Sequence, residues 1–512
     1  MSKKYKFVLT LGLLFFLVSA SPALAEPPKS ALSLAEEYVL TQVAQGEIAD
    51  LEVKFKKGEA DRVVRASFLE SLVINQDNKY KIYKTGMIQI IGARIPGTLS
   101  LANTEISYYL SLAKCHFDDV DFFQTVFRKG LMIDGSTFEG GVDFSYATVM
   151  LGLSANNAHF LNKKEIANFD TVKVGGPVFF REATFAGAVS FLYAVISGSF
   201  ETRRAMFTNP DKEVSFNAMR IEGGFFAEQA VFEGPVNAMN LRISDNFDGR
   251  RTTFKKLADF QCVSIGHNLF VSNATLAGPA RFKSAAVAGN FELNETQFQN
   301  DEPPQFQDMK AGAILVNKTH FSHPPNLTNL TYQNIYPTSG LLELVKNSGS
   351  DYSAYTELEK CLQRNGYASD ADEVFMEMKR YERRKGLTWF DSLKSYLSEA
   401  LQGFGRRPQR VVYWDLGIVL MGALFFRRRK MALKTDAKNQ IEPEVETKTD
   451  LPPYNSFLYS LTLFAPTIDT QYTNNWEPAD AHKKTRGYIR VHKLLGYLLV
   501  PLTLAIWSGV FR

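Results

Sequence analysis

Reactive side chains are few in this sequence and stand apart. Cys115, Cys262 and Cys361 show none of the CxxC spacing that redox dithiols and zinc ribbons use. Cys115 falls where a small structural residue is wanted and Cys262 at a corner, so no disulfide framework is expected. His116, His159 and His320 each precede a large apolar residue by one position, and strand alternation turns such neighbours outward, on separate turns of the chain. His320 and His323 form an HxxH pair without a third ligand, which predicts a solvated end loop. No P-loop, helix-opening GxGxxG, GxSxG elbow or HExxH is present. The sequence therefore assigns no catalytic, no cofactor-binding and no metal-ligating residue, and predicts a protein that is not an enzyme. Asp415, near the start of an apolar run, is expected at headgroup level, and His492, just before another, is expected to be an interface residue. Asn273, Asn294, Asn317, Asn326 and Asn329 head N-x-S/T triplets and read as turn-prone positions.

The elements that would carry these residues follow from composition and period. The 512 residues are 45% hydrophobic with a formal net charge of +4, too small to suggest a nucleic-acid partner, and the basic residues crowd beside apolar segments. Residues 1–25 run from Lys3, Lys4 and Lys6 through apolar Phe7–Val18 to Ala23-Leu24-Ala25, the order of a cleavable signal peptide. Near the other end, residues 411–426 and 490–511 read as two transmembrane helices. The loop between them, 427–487, holds Arg427–Lys430 and Lys483, Lys484 and Arg486, with Arg490 and Lys493 just after it, so the positive-inside rule places it in the cytoplasm. Arg406, Arg407 and Arg410, on the outer flank, weaken that bias without reversing it.

Phe is used 40 times against 4 Trp, which points to one slot filled repeatedly. Large apolar residues recur every eleven positions at Phe232, Ile243, Phe254, Ile265, Leu276, Val287 and Phe298, and earlier at Phe138, Val149 and Phe160 and at Val174, Phe185, Ile196 and Phe207. Three-residue insertions fall near Asn162–Glu165 and Asn209–Lys212, and Phe127 fills its slot one residue early. A second beat stands five residues before the main one, as in Phe144, Phe169, Phe180 and Phe191, and a small residue stands two before it, as in Ala147, Ala183 and Ala194. Steps of five and six exclude an α-helix and a hairpin sheet, and fit short strands joined by tight corners, four sides to a turn of about 22 residues. Lys310 and Gly249 appear as degenerate inward slots.

The expected organisation is a helical N-terminal cap over 26–85, a β-solenoid over 86–335 and a helical hairpin and linker over 340–405. Ser33–Lys57 and Arg62–Ile74 read as cap helices. Tyr352–Arg364 and Asp370–Arg384 read as the hairpin, with Asp370 as an N-cap and Gln363, Arg364 and Arg380–Arg384 as a solvated face.

The units Glu182-Ala183-Thr184-Phe185 and Gln229-Ala230-Val231-Phe232, with Ala and Phe in the inward slots, resemble pentapeptide-repeat units. With Gly403-Phe404-Gly405-Arg406-Arg407-Pro408 and Phe457-Leu458-Tyr459-Ser460-Leu461, the chain resembles the bacterial membrane-associated pentapeptide-repeat family over nearly its whole mature length. The resemblance implies a mainly β fold, a right-handed quadrilateral β-helix, anchored in the bacterial inner membrane with the solenoid on the periplasmic side. The expected function is non-enzymatic binding or scaffolding. Its expected partners are the lipid bilayer, an envelope protein or polysaccharide, and a second copy of the chain, with no cofactor. The alternative is an oligomeric two-helix pore. Phe457–Phe464 falls where some members of the family place a pore helix, but Ala465-Pro466-Thr467-Ile468-Asp469 follows it in place of a potassium filter, so an interfacial helix on the cytoplasmic side is expected there.

Overall fold

The computed structural model describes residues 32–56, 58–74, 86–337, 340–348, 352–434, 453–465, 467–468 and 471–508, so the signal peptide expected over 1–25 lies outside the described residues. The chain divides into two units, Met1–Gly234 and Pro235–Arg512. Parallel β-solenoid occurs in both, about 11 turns in all.

In the first unit the opening turns carry longer strands such as Arg94–Ser100 and His116–Asp121, and from Val126 on each turn is four two-residue strands, for example Val126–Phe127, Leu131–Met132, Thr137–Phe138 and Val142–Asp143. Each pairs in parallel with its counterpart one turn on, as in Val126↔Thr148, Leu131↔Leu153, Thr137↔His159 and Val120↔Val142, so four columns of pairing form four sides. These partners are 22 residues apart, as the repeat predicts. Where the sequence inserts three residues the pairing widens without losing phase, in Val142↔Ala167 and Val189↔Val214. The early slot at Phe127 tightens it, in Ile106↔Phe127.

The five-plus-six beat has a backbone cause. Within the five-residue step the second-beat carbonyl accepts from the amide three residues on, as in Ala147 N to Phe144 O at 3.0 Å and Ala194 N to Phe191 O at 3.0 Å. The third residue of each turn, Tyr146 and Tyr193 here, takes a φ near +60°. The six-residue step turns through bends such as Met150–Gly152, where no residue has positive φ. From Asn103 on, one corner of each pair is thus a left-handed turn and the other is not, whereas Gly97 in the first turn has positive φ within the six-residue step. The residue after a left-handed corner points inward and is mostly small, as at Ala147, Ala183 and Ala194, though Met219, Leu241, Met309 and Leu330 fill the same place.

Inside, Phe117, Phe138, Phe160, Phe185, Phe207 and Phe232 stack face to face at centroid spacings of 4.6–5.0 Å. That spacing is the distance between strands, so the ladder of rings is a direct product of the pairing register. Every ring in it is buried, at about 2–3 kcal/mol of hydrophobic stabilisation each. On another side the inward residues trade volume. Val178 pairs with Phe180, but where the second-beat slot shrinks to Thr202 and Ala227, the residue two before it grows to Phe200 and Phe225. The core thereby keeps its density through a degenerate repeat.

The N-terminal cap departs from the two helices expected. Ser33 caps α1 (Leu34–Gln45), which stops at Gly46, and Ala49–Asp50 then forms a strand paired in parallel with Met87–Ile91 of the first turn. A four-residue helix, α2 (Leu51–Lys54), follows, and then α3 (Ala66–Ile74). Half of the expected first helix is therefore edge cover, because a solenoid's first strand needs backbone partners more than it needs an apolar lid. Glu36, fully buried, accepts from the Arg65 guanidinium at 2.7 Å and from the Ser33 and Arg65 amides, tying α1 to the start of α3.

The second unit has its own parallel solenoid strands, from Val236–Asn237 to Thr331–Tyr336. Gly249 is the inward slot expected, and the Phe247 ring occupies the space its missing side chain leaves: a Cβ there would fall 2.7 Å from Phe247 Cε1. Lys310 is not an inward slot. Two further residues enter between Gln299 and Pro304, shifting the pairing to Val287↔Ala311, so Ala311 is buried and Lys310 exposed.

The last turn is closed by α5 (Tyr352–Arg364), preceded by α4 (Leu341–Asn347). Arg364 and Asn365 donate to the free carbonyls of Tyr332 and Gln333, while Glu357 and Ser353 accept the amides of Tyr332 and Asn329. Arg364, exposed as expected, is thus also an edge cap. The next helix, α6 (Ala368–Arg384), begins two residues before Asp370, because Gly366 at φ +83° turns the chain back at once; Asp370 lies in its first turn and makes no cap. The Arg380–Arg384 run is also not simply solvated. Arg380 and Arg384 hold the buried Glu377, and Arg380 and Arg383 hold Glu399 on α7 (Trp389–Gln402).

Candidate functional site

The residues that could act on something outside the fold gather in the C-terminal helices: α7, α8 (Gln409–Phe425), α9 (Ser456–Phe464), α10 (Gln471–Asn475) and α11 (Lys483–Trp507). Among the described residues no helix is long and apolar enough to cross a membrane. Helices do occupy the places expected for two spans. However, α8 has 17 residues, about 26 Å of rise, and α11 spends its first three turns on Lys483, Lys484, Arg486, Arg490 and Lys493.

The helix over 456–464 does not lie on a surface as an interfacial helix would. Asn455 caps it, and it packs between α8 and α11 with Tyr459, Ser460, Thr462, Leu463 and Phe464 buried. Two glycines permit this. A Cβ on Gly422 of α8 would collide with Ser460 Oγ and lie 2.6 Å from His492 Cε1, and one on Gly496 of α11 would collide with the Phe464 carbonyl. The loop that ends in this helix is also partly folded. Met431–Leu433 pairs antiparallel with Trp476–Pro478, and Trp476 is buried under the Arg428 guanidinium at 3.6 Å and the Tyr454 ring at 5.2 Å.

A polar seam runs through this apolar bundle. Asp415 and Val419 of α8 are one helical turn apart, and Gly422 and Phe426 continue their face. Thr503 of α11 donates to Asp415 Oδ2 at 2.6 Å, so the carboxylate is bonded between helices. Ser460 Oγ donates to the Val419 carbonyl at 2.7 Å. His492 Nε2 lies 3.1 Å from Ser460 Oγ and 3.0 Å from the Ser460 carbonyl, and that carbonyl requires Nε2 to carry a proton. Phe426, Phe464 and Tyr488 surround the imidazole at centroid distances of 5.5–5.6 Å. His492 is fully buried, not an interface residue, and its Nδ1 has no hydrogen-bond partner among the described residues. Chemically, the seam fastens three helices to one another in an environment where each polar contact excludes competing water.

The other residues considered from sequence are dispersed. His116 lies between Glu139, 3.0 Å away, and Glu59, 3.7 Å away, and His159, His320 and His323 are exposed. Cys115 is a buried small inward residue, and burial pushes its thiol up to about 12. Cys262 is exposed on a left-handed corner at φ 56°, and Cys361 is buried on α5. Asn273 and Asn329 are left-handed corner residues, while Asn294 Oδ1 accepts the Asn317 amide of the next turn and Asn326 Oδ1 that of Thr328. All five thus serve turns. Sequence reading missed Ser460, Thr503 and the fold around Trp476, since single polar residues within apolar runs have no period to betray them.

Outside the seam the bundle is greasy. Trp414, Leu416, Leu420, Met421 and Leu424 on α8, and Leu494, Tyr497, Leu498 and Leu504 on α11, are exposed. No family model matches the sequence, and no curated protein or solved structure matches it.

Proposed function

We propose that this chain is a non-enzymatic scaffold of the bacterial inner membrane that presents its solenoid on the periplasmic side to an envelope protein or polysaccharide. In this reading it is a member of the membrane-associated pentapeptide-repeat family, and α8, α9 and α11 enter the bilayer as one packed insert instead of two separate spans. The observation that carries it is the exposed apolar belt of α8 and α11, bounded by the basic groups at Arg427–Lys430 and Lys483–Lys493. Soluble surfaces do not expose contiguous leucine and aromatic side chains over two adjacent helices. Arg406, which argued against an outer location for the preceding segment, is paired with Glu359 and Asp372, so its charge is neutralised where it stands. The repeat supports the family reading, since each inward Phe and small residue occupies the slot that such units require.

Reporter fusions after residues 340 and 440 test the anchor and its orientation. A periplasmic signal at the first and a cytoplasmic signal at the second is expected; the same compartment at both, or recovery of the chain in the soluble fraction, overturns the reading. Crosslinking in cells followed by purification tests the scaffold, which predicts a discrete envelope protein or glycan attached to the solenoid.

A pore is the second reading, and one observation favours it: a nine-residue helix lodged between two longer ones beside a seam of Asp415, Thr503, Ser460 and His492. Ion flux in liposomes that falls on substituting Asp415 or Phe457 would support it, and absence of flux would end it.

A further inference from the structure

The helix just before the bundle has an exposed apolar face, touched within the chain at its edge by the Arg383 guanidinium, 3.8 Å from the Tyr396 ring. In α7, Trp389, Phe390, Leu393, Tyr396 and Leu397 recur at intervals of one, three and four residues and lie on one side of the helix. All five are exposed, Trp389 at 78%, Phe390 at 63% and Tyr396 at 58%, and no residue of α7 is buried. The polar contacts lie toward α6. Glu399 takes Arg380 at 2.7 Å and Arg383 at 2.8 Å, and Thr388 caps the helix through the Asp391 amide. The fold thus sets α7's polar contacts against α6 and leaves its apolar side exposed.

We infer that α7 lies in the plane of the membrane surface, its apolar side sunk into the boundary between headgroups and acyl chains. Three observations choose lipid over a protein partner. First, the face is continuous with the belt of the bundle: Trp414 Nε1 of α8 donates to the Ala400 carbonyl at 3.0 Å, and Leu401 packs on the Val419, Phe464 and Leu499 cluster. Second, its composition is that of an interface, with Trp and Tyr beside Phe and Leu and an exposed Lys394 at the margin, where an ammonium can reach phosphates. Third, Gly403 at φ +55° and Gly405 at φ +91° break the chain between α7 and α8, the bend needed for a surface helix to be followed by an inserted one. The inference rests on the membrane reading of α8 and α11.

The test separates the two. Full-length protein carrying Cys262→Ser is reconstituted in vesicles of phosphatidylcholine and phosphatidylglycerol, with one cysteine introduced at Leu393, Asp391 or Leu420 and labelled with a polarity-sensitive fluorophore; Asp391 is exposed on the side of α7 away from the apolar face. Quenching is read with aqueous iodide and with nitroxide-bearing lipids. Leu393→Cys should be several-fold less sensitive to iodide than Asp391→Cys, and strongly quenched by shallow lipid nitroxides; Leu420→Cys should be quenched by deep ones. Equal iodide quenching at 393 and 391, with 420 still in lipid, sinks the surface-helix proposal and leaves the anchor standing. Loss of lipid quenching at 420 as well sinks both. Protection of 393 from iodide without lipid quenching, lost on dilution of protein in the vesicles, assigns the face to a second copy of the chain and overturns the proposal.

Discussion

A turn of the solenoid and the α8–α9–α11 bundle each hide aromatic rings, but they specify the hiding in different ways. In the solenoid, Phe185 sits between Phe160 and Phe207 because parallel pairing puts each on the same position of successive turns, 4.6 and 5.0 Å apart. Its neighbours are fixed by period, and a change there is felt mainly by the turns above and below. In the bundle, Phe464 and Phe426 meet His492 only because α9 crosses at Gly422 and Gly496, positions with no counterpart elsewhere in the sequence. The first region tolerates imperfect repeats; the second depends on two missing side chains.

The largest expected effect breaks a repeat. Phe185→Ala should cost about 3–5 kcal/mol, the usual loss for a large ring removed from a tight core. Hydrogen exchange should show lost protection confined to the turns around Phe160–Phe207, with α8, α9 and α11 unaffected. Loss of protection in the bundle as well would mean that the two regions fold as one cooperative body. Next in size, Gly496→Val forces a side chain against the Phe464 carbonyl and should cost about 1–3 kcal/mol by overpacking. Here the readout is protease cleavage within 453–465, expected to rise as α9 leaves its groove while the solenoid stays protected.

These two sites also differ in how far the sequence revealed them. Phe185 is legible because eleven-residue spacing repeats around it, and the solenoid's four sides, two of its insertions and the mostly small residue two before each main slot follow from counting. Counting failed at Lys310, where a third insertion went unseen, because Gln299–Pro304 adds only two residues and Ala311 is too small to mark its own slot. It failed more widely past residue 340. Arg364 and Arg383 look like any exposed arginine until the edge carbonyls and Glu399 are in place. The bundle's seam was invisible for the same reason: Ser460 and His492 are 32 residues apart, and nothing local ties them. The apolar stripe of α7 could have been found, since Trp389, Phe390, Leu393, Tyr396 and Leu397 show plain helical spacing.

The N-terminal cap offers a comparison of a repeat with its lid. Burial pushes the Glu36 carboxyl up, but the Arg65 guanidinium and the Ser33 and Arg65 amides pull it down further, so in the folded chain it titrates below the ordinary carboxylate range. A depressed folded value means that its contribution is complete above the unfolded value, about 4.3, and is lost as pH falls through the folded one. Exchange of α1 amides should therefore quicken, relative to the solenoid turns, as pH is lowered from about 5 toward 3. Glu36→Gln should cost about 1–3 kcal/mol at neutral pH and abolish that dependence. An unchanged slope in the variant would show that other carboxylates loosen the cap.

The smallest effect distinguishes the two kinds of corner. Tyr193 occupies a left-handed corner at φ 58° and is 61% exposed, so it bears the strain of that conformation with little burial to offset it. Leu151 occupies the other kind of corner, where no positive φ is needed, and is similarly exposed at 59%. Asn tolerates the left-handed region better than a bulky aromatic residue does, because its short polar side chain bonds locally. Tyr193→Asn should thus stabilise the turn by about 0.5–1 kcal/mol, whereas Leu151→Asn should change stability by less than about 0.5 kcal/mol. Denaturant midpoints of the two variants, measured with hydrogen exchange of the flanking turns, decide the matter. If both shift equally, exposure and not backbone conformation governs the corners, and the alternation of left-handed turns and open bends loses its role in setting the five-plus-six beat.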